Sequence, residues 1–269
     1  MQFQYEPIAA ALDHESTLSA EQLVLVADIG GGTSDFSLVR VGPQRRRRPD
    51  RRSDILANHG VHIAGTDFDR RIELANVMPL LGLGSRTPAR AGEQPREVPS
   101  GWYFDLATWH LINTLYAPAR QAELKALRHF YAEPHYHRRL SSVVRQRLGH
   151  ALAAAAEGAK IELAGAGRSH IDLGAIEPGL GVDVSEAQAA ASIEADLDRI
   201  VRAASDTLAL AGARPEQVDV LYCTGGSTGL SPLVARMAAA LPRAQVQRGD
   251  RFASVARGLG LHAQTLYGA

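Results

Sequence analysis

The chain has 269 residues, with 29 Lys+Arg against 29 Asp+Glu, 45% hydrophobic residues and a single cysteine. That length supports one large domain or two small ones around a buried core. The balanced charge gives no pull toward nucleic acid or an anionic membrane, and Cys223 alone excludes an internal disulfide framework and suits a reducing compartment. No apolar run approaches the roughly 20 residues of a membrane span. The opening MQFQYEPIAAALDHE has neither a basic n-region nor an apolar h-region, so the expectation is a soluble, cytoplasmic protein without a signal peptide.

Pro7 to His14 predicts a short helix, with Pro7 at a first helical position and Glu6 at the positive end. Leu23–Ile29 and Phe36–Val41 read as strands joined by a glycine-rich turn. Ile55–Ile63 reads as a third, which gives an antiparallel meander. Thr66 begins a helical segment ended by Pro79 and Gly82, and residues 83–101 form a loop. From about Asp105 to Ala164 the pattern is helical, broken at Pro118 and Pro134, with a last helix over Arg138–Leu163.

Two short strands follow, His170–Leu173 and Gly181–Val184. A long helix then runs from Ser185, boxed with Gln188, to about Ala211, where Gly212 stops it. Strand Val218–Cys223 leads into TGGSTGLSP. A helix from Ser231, a short strand at Val246 and a helix over Phe252–Gln264 close the pattern. The fold class is α/β, a mixed sheet with flanking helices plus a mainly helical insertion. The expected core is 1–66 with 165–269, and the expected inserted subdomain is 67–164.

Two glycine-rich turns stand out, each at the end of a strand. Gly30-Gly31-Gly32-Thr33 follows Leu23–Ile29, and Gly225-Gly226-Ser227-Thr228 follows Val218–Cys223. There backbone amides can converge on an anion with no Cβ in the way. Neither fits the P-loop or the dinucleotide pattern. Either turn alone is equally a tight turn or a bulge; two of them, one flanked by Asp28 and Asp35, favour phosphate and metal binding. Asp28 is placed to hold a water of Mg²⁺, or else caps the turn. Thr33 offers a hydroxyl to a terminal phosphate. Asp35 either orients water or braces the hairpin.

The arginine run Arg45–Arg48 with Arg51 and Arg52 lacks interleaved aromatics and reads as a solvated loop rather than a nucleic-acid patch. His135 and His137 read as a surface pair rather than a metal site. Cys223 reads as a buried small residue.

DIGGGTSD resembles the second phosphate motif of the actin-like ATPase superfamily, in the form carried by DnaK-type seventy-kilodalton heat-shock chaperones. YEPIAAALDHE, HGVHIAGTDFDRRI, VLYCTGGSTGLSPLV and DRFASVARGLGLHA resemble further chaperone segments in the same order, from about Phe3 to Ala263. FQYEP and IAGTDFDRRIELANVMPLLGLGS look most like the YegD-like subgroup. The resemblance implies lobe two of a ribonuclease-H-like, actin-like ATPase domain. It implies ATP or ADP and Mg²⁺ as ligands, with Asp28 and Glu6 holding the metal through water. By the same resemblance, Gly30, Gly31, Gly32 and Thr33 cradle the β- and γ-phosphates, and Gly225, Gly226 and Ser227 pass close to the ribose and α-phosphate. Glu157 and Lys160, on one helix face at i, i+3 spacing, match adenosine contacts. Client or co-chaperone proteins are the implied partners, with no nucleic acid and no membrane.

Several positions depart from the family pattern. Ile161 stands where the family has an arginine, Ala164 where it has a serine, and Gly229 where it has another arginine, so guanidinium stacking on adenine is not expected. A first lobe with its own phosphate motif is also expected to be missing, which leaves half a cleft and little hydrolysis by this chain alone. The alternatives are a non-catalytic interaction module on the same fold and another phosphotransferase of the superfamily, such as a sugar kinase.

Overall fold

The computed structural model describes residues 4–46, 48, 50–89, 92, 94–249 and 254–267. In chain order the elements are α1 (Glu6–Glu15), β1 (Gln22–Ile29), β2 (Ser34–Val41), β3 (Ile55–Val61), α2 (Gly65–Ile72), α3 (Gly101–Leu106), α4 (Pro118–Ala126) and α5 (Pro134–Gln146). They continue with α6 (Gly149–Ala166), β4 (Arg168–Asp172), β5 (Gly181–Ser185), α7 (Glu186–Ser192), α8 (Glu194–Leu210), β6 (Val220–Thr224), α9 (Ser231–Ala239), β7 (Gln245–Arg248) and α10 (Ser254–Tyr267). Phe252, the expected start of the last helix, lies outside the described residues. No described helix is long and apolar enough to cross a membrane. Packing divides the chain into two units, 1–67 with 194–269, and 68–193. The hairpin β4–β5 and α7 therefore belong with the helical segment, where the sequence reading ends it at residue 164.

The first unit holds a five-stranded sheet in the order β3-β2-β1-β6-β7. The expected meander is present: β1 pairs antiparallel with β2, and β2 with β3. β6 then returns parallel to β1, and β7 parallel to β6. Central position explains the composition. Val24–Ala27 and all of Val220–Thr224 are buried, as continuous apolar strands covered on both faces must be. α1 packs Ile8, Ala11 and Leu12 against Val24, Val39, Val220 and Tyr222, while α8 lies against β2 and β3.

The arginine run is only in part the solvated loop expected: Arg48 and Arg52 are exposed, whereas Arg51 is buried. Arg51 is 3% exposed, and its guanidinium grips Glu15 with two bonds of 2.8 and 2.9 Å and also pairs with Asp54. Glu15 and Asp54 are themselves fully buried. Arg45 bridges Asp54 to Glu21, Arg46 donates to the Ser16 carbonyl at 3.0 Å, and Arg52 donates to the Tyr5 hydroxyl at 3.0 Å. A guanidinium fork matches carboxylates two at a time, which lets such a segment tie the end of α1 to the loop after β2. Arg47 lies outside the described residues.

The second unit is mainly helical, around a core that includes Ile72, Met78, Trp102, Leu106, Leu140, Val143, Leu152 and Leu163. Pro118 and Pro134 occupy the first positions of α4 and α5, where a missing N–H costs nothing. The helix expected over 138–163 is two helices. Arg147 breaks it with φ 56, and Gly149 follows, so close to the Ile112 side chain that a Cβ there would lie 2.5 Å from it. The long helix from Ser185 is likewise divided at Ile193, where φ −106 and ψ 6 leave the helical region. Its predicted capping box is formed, with the Gln188 N–H donating to Ser185 Oγ.

Two side chains of this unit carry unexpected environments. His137 is buried rather than on the surface, and its Nε2 lies 2.9 Å from the Leu124 carbonyl. Glu73 is 1% exposed, and its Oε1 has no hydrogen-bond partner among the described residues. Burial, with Asp69 adding repulsion, pushes its carboxyl up to about 8.

Candidate functional site

The site is built at the edge where β1 ends. Asp28 is the second-last residue of β1, and Gly31 and Gly32 form the tip of the β1–β2 connection, closed by Gly30 N–H donating to the Thr33 carbonyl at 3.1 Å. Strand register sets Asp28 directly opposite Asp35. Glu6, at the start of α1, joins them in a cleft of about 350 Å³ whose lining also includes Gly30 and Thr33. Burial first, then Glu6 and Asp35, raises the Asp28 carboxyl above the ordinary aspartate range. Three acids in one cleft are a like-charge cluster that a cation would relieve. Among the described residues, no group of three or more His, Cys, Asp or Glu could hold a metal ion.

The triplet glycines are not needed by the fold in the usual ways. None of Gly30, Gly31 and Gly32 has positive φ. A Cβ at Gly31 or Gly32 would meet nothing within 4 Å, and both residues are exposed, as is Thr33. Side chains are missing where there is room for them.

The second glycine turn abuts the first. Gly225 follows β6 with φ 85, and a Cβ there would lie 2.4 Å from the Ile29 carbonyl oxygen and 2.7 Å from Asp28 Oδ1. Ser227 is buried and donates its hydroxyl to the Gly30 carbonyl at 2.7 Å. Thr228 donates back to the Gly225 carbonyl at 2.7 Å, inside a short 3-10 turn over Gly226–Gly229. Glu6, Asp28, Asp35, Gly30–Thr33 and Gly225–Ser227 thus all belong to the first unit.

Glu157 and Lys160 lie on α6 in the second unit. Glu157 is exposed, whereas Lys160 is engaged by Asp69, its Nζ 2.7 and 2.9 Å from the two carboxylate oxygens. Ile161, next to Lys160, is 64% exposed.

Sequence reasoning missed four supporting residues. Gly60 sits opposite Asp35 on β3, and a Cβ there would lie 2.4 Å from Asp35 Oδ1. Its signal was a glycine within a strand pattern, which marks close approach. Gly65 and Thr66, at the start of α2, donate to the carbonyls of Gly30 and Gly31. Asn58 donates to Ser37 at 2.8 Å, both residues lining the cleft, a tertiary pairing with no local signal.

These features define a mixed α/β protein whose five-stranded sheet and flanking helices are compatible with an actin-like, Hsp70-type ATPase fold. No protein-family model matches the chain. Over 68 residues, 25% of its length, it is 38% identical to heat shock 70 kDa protein 6, chloroplastic, of Arabidopsis thaliana. It is 38% identical over 68 residues to chaperone protein dnaK of Gracilaria tenuistipitata var. liui, and 37% identical over 68 residues to that of Cyanidioschyzon merolae. The matched segment spans 8% of the Arabidopsis protein and 10% of each dnaK. The chain is therefore related in part to the Hsp70/DnaK chaperones, over a quarter of its length.

Proposed function

We propose that this chain is a nucleotide-binding portion of a YegD-like, Hsp70-type ATPase, taking ATP or ADP with Mg²⁺ in the cleft of the first unit. The observation that carries the reading is the open glycine tip. Gly31 and Gly32 lack side chains although neither φ nor packing demands it, which leaves open space where an external group would approach. Phosphate oxygens suit such a turn. The donor set suits magnesium as well, because Asp28, Glu6 and Asp35 are hard oxygen groups whose repulsion a hydrated divalent ion offsets. Asp28 and Glu6 would hold the metal through water, Thr33 would bond the terminal phosphate, and Asp35 would orient water. Bound magnesium would neutralise developing phosphate charge.

Calorimetric titration of the chain with Mg–ADP and Mg–ATP tests the reading. Weak, magnesium-dependent binding that Asp28→Asn abolishes supports it; no binding of either nucleotide rejects it. Cytoplasmic location and client or co-chaperone partners belong to the same proposal.

Two observations favour a second reading, a non-catalytic interaction module. Lys160 is occupied by Asp69, and an exposed Ile161 replaces the base-stacking arginine. Binding that fails to distinguish nucleotide from inorganic tripolyphosphate would favour that reading.

A further inference from the structure

We infer that Thr66 and Ser227 are positioning residues that turn the glycine amides outward, an inference that rests on the nucleotide reading above. Two of the donors lie in the first turn of α2. The first amides of a helix have no partner within it. Here Gly65 N–H donates to the Gly30 carbonyl at 3.2 Å, and Thr66 N–H donates to the Gly31 carbonyl at 2.8 Å. Thr66 adds its hydroxyl to the same Gly31 carbonyl, also at 2.8 Å. Ser227 supplies the second donor to the Gly30 carbonyl, at 2.7 Å. Each of the two carbonyls therefore accepts one backbone and one hydroxyl hydrogen bond.

Peptide planarity converts this into a direction. In a trans peptide the C=O and the following N–H point opposite ways, and no peptide bond among the described residues is cis. With the Gly30 carbonyl held by Gly65 and Ser227, the Gly31 N–H points away from them. With the Gly31 carbonyl held by Thr66, the Gly32 N–H points away from Thr66. Neither amide donates to any described residue, and the space at both Cβ positions is open. Glycine peptides flip readily because both signs of φ are accessible, and four donors on two carbonyls remove that freedom before a ligand arrives. Preorganised amides bind an anion without first reorganising. Thr66 thus sets the Gly32 amide, and Ser227, whose hydroxyl is turned to a carbonyl, sets the Gly31 amide.

The test uses the full chain with Mg–ADP as the probe, read by calorimetry, alongside the Gly31 carbonyl and Gly32 amide resonances of the ligand-free protein. Thr66→Val keeps the backbone donor and deletes the hydroxyl, while Thr66→Ser keeps both. Loss of one hydrogen bond predicts about three- to tenfold weaker binding for Thr66→Val, with shifted Gly31 and Gly32 resonances, and Thr66→Ser restoring both. Ser227→Ala is expected to act in the same direction through Gly30 and Gly31. If Thr66→Val moves the resonances but binds Mg–ADP as tightly as the unaltered chain, the positioning role is overturned and the nucleotide reading stands. If the resonances do not move, the hydroxyl does not hold the peptide and the inference fails. An unaltered chain that binds no Mg–ADP overturns the nucleotide reading and this inference together.

Discussion

Asp28 and Asp35 face one another across β1 and β2, a like-charge pair at the mouth of the cleft. Directly opposed like charges weaken a sheet, and no described basic residue lines this cleft. On the reading proposed above, a bound cation would offset this repulsion.

A sign follows for pH. The folded-state Asp28 pKa is raised, so the folded chain holds more protons than the unfolded one between the ordinary value and the raised one. Stability of the ligand-free chain must fall as pH rises through that window. Asp28→Asn should remove this slope and stabilise the ligand-free protein at neutral pH by about 0.5–1 kcal/mol, while losing magnesium-dependent nucleotide binding. Urea denaturation across pH reads the first effect and calorimetry the second.

Gly60 and Gly225 should respond differently to alanine. At Gly60 the clash is with the Asp35 carboxylate, the movable end of a side chain. Gly60→Ala should therefore displace Asp35 and impair nucleotide binding, with a stability loss of about 1 kcal/mol. At Gly225 the clash is with the Ile29 backbone, and φ is 85. Gly225→Ala should lose about 2–4 kcal/mol. Denaturation midpoints of the two variants check the order.

Removing the arginine that neutralises two buried acids should be severe. Arg51→Met leaves Glu15 and Asp54, both fully buried, without their main counter-charge. A buried pair broken from one side costs about 3–5 kcal/mol, measurable by urea denaturation. A solvated arginine would change stability by less than about 0.5 kcal/mol.

Glu73 gives the second unit its own pH dependence. Its carboxyl is raised from 4.5 to about 8 in the folded state. Stability contributed by the neutral form is full below the ordinary value and is lost as pH rises toward 8. Between pH 5 and pH 9 the loss should be on the order of a few kcal/mol, and Glu73→Gln should flatten it. Denaturation of both proteins across that range is the check.

Much of this was legible in the sequence where local chemistry decides. Apolar runs ending in glycines located β1, β6 and both turns, and Ser185 with Gln188 announced a helix start. What stayed hidden depends on distant partners. The break at Arg147 needs a left-handed arginine, a conformation few non-glycine residues adopt. Arg51 sits in a run that looks hydrated until Glu15 and Asp54 fold around it. Lys160 has the spacing of a ligand contact, yet Asp69, far away in sequence, engages it. Thr66 read simply as a helix start, and its hold on Gly31 exists only once α2 meets the hairpin.

The central claim is that the Gly31–Gly32 tip is kept bare for phosphate, and Gly31→Ala tests it most directly. A Cβ there meets nothing within 4 Å and φ is not positive, so stability should hold or rise by about 0.4–1 kcal/mol through the unfolded state. Calorimetric titration with Mg–ADP should show binding weakened at least about tenfold, because the methyl group occupies the phosphate's space. Undiminished Mg–ADP binding by a stably folded Gly31→Ala chain would contradict the account.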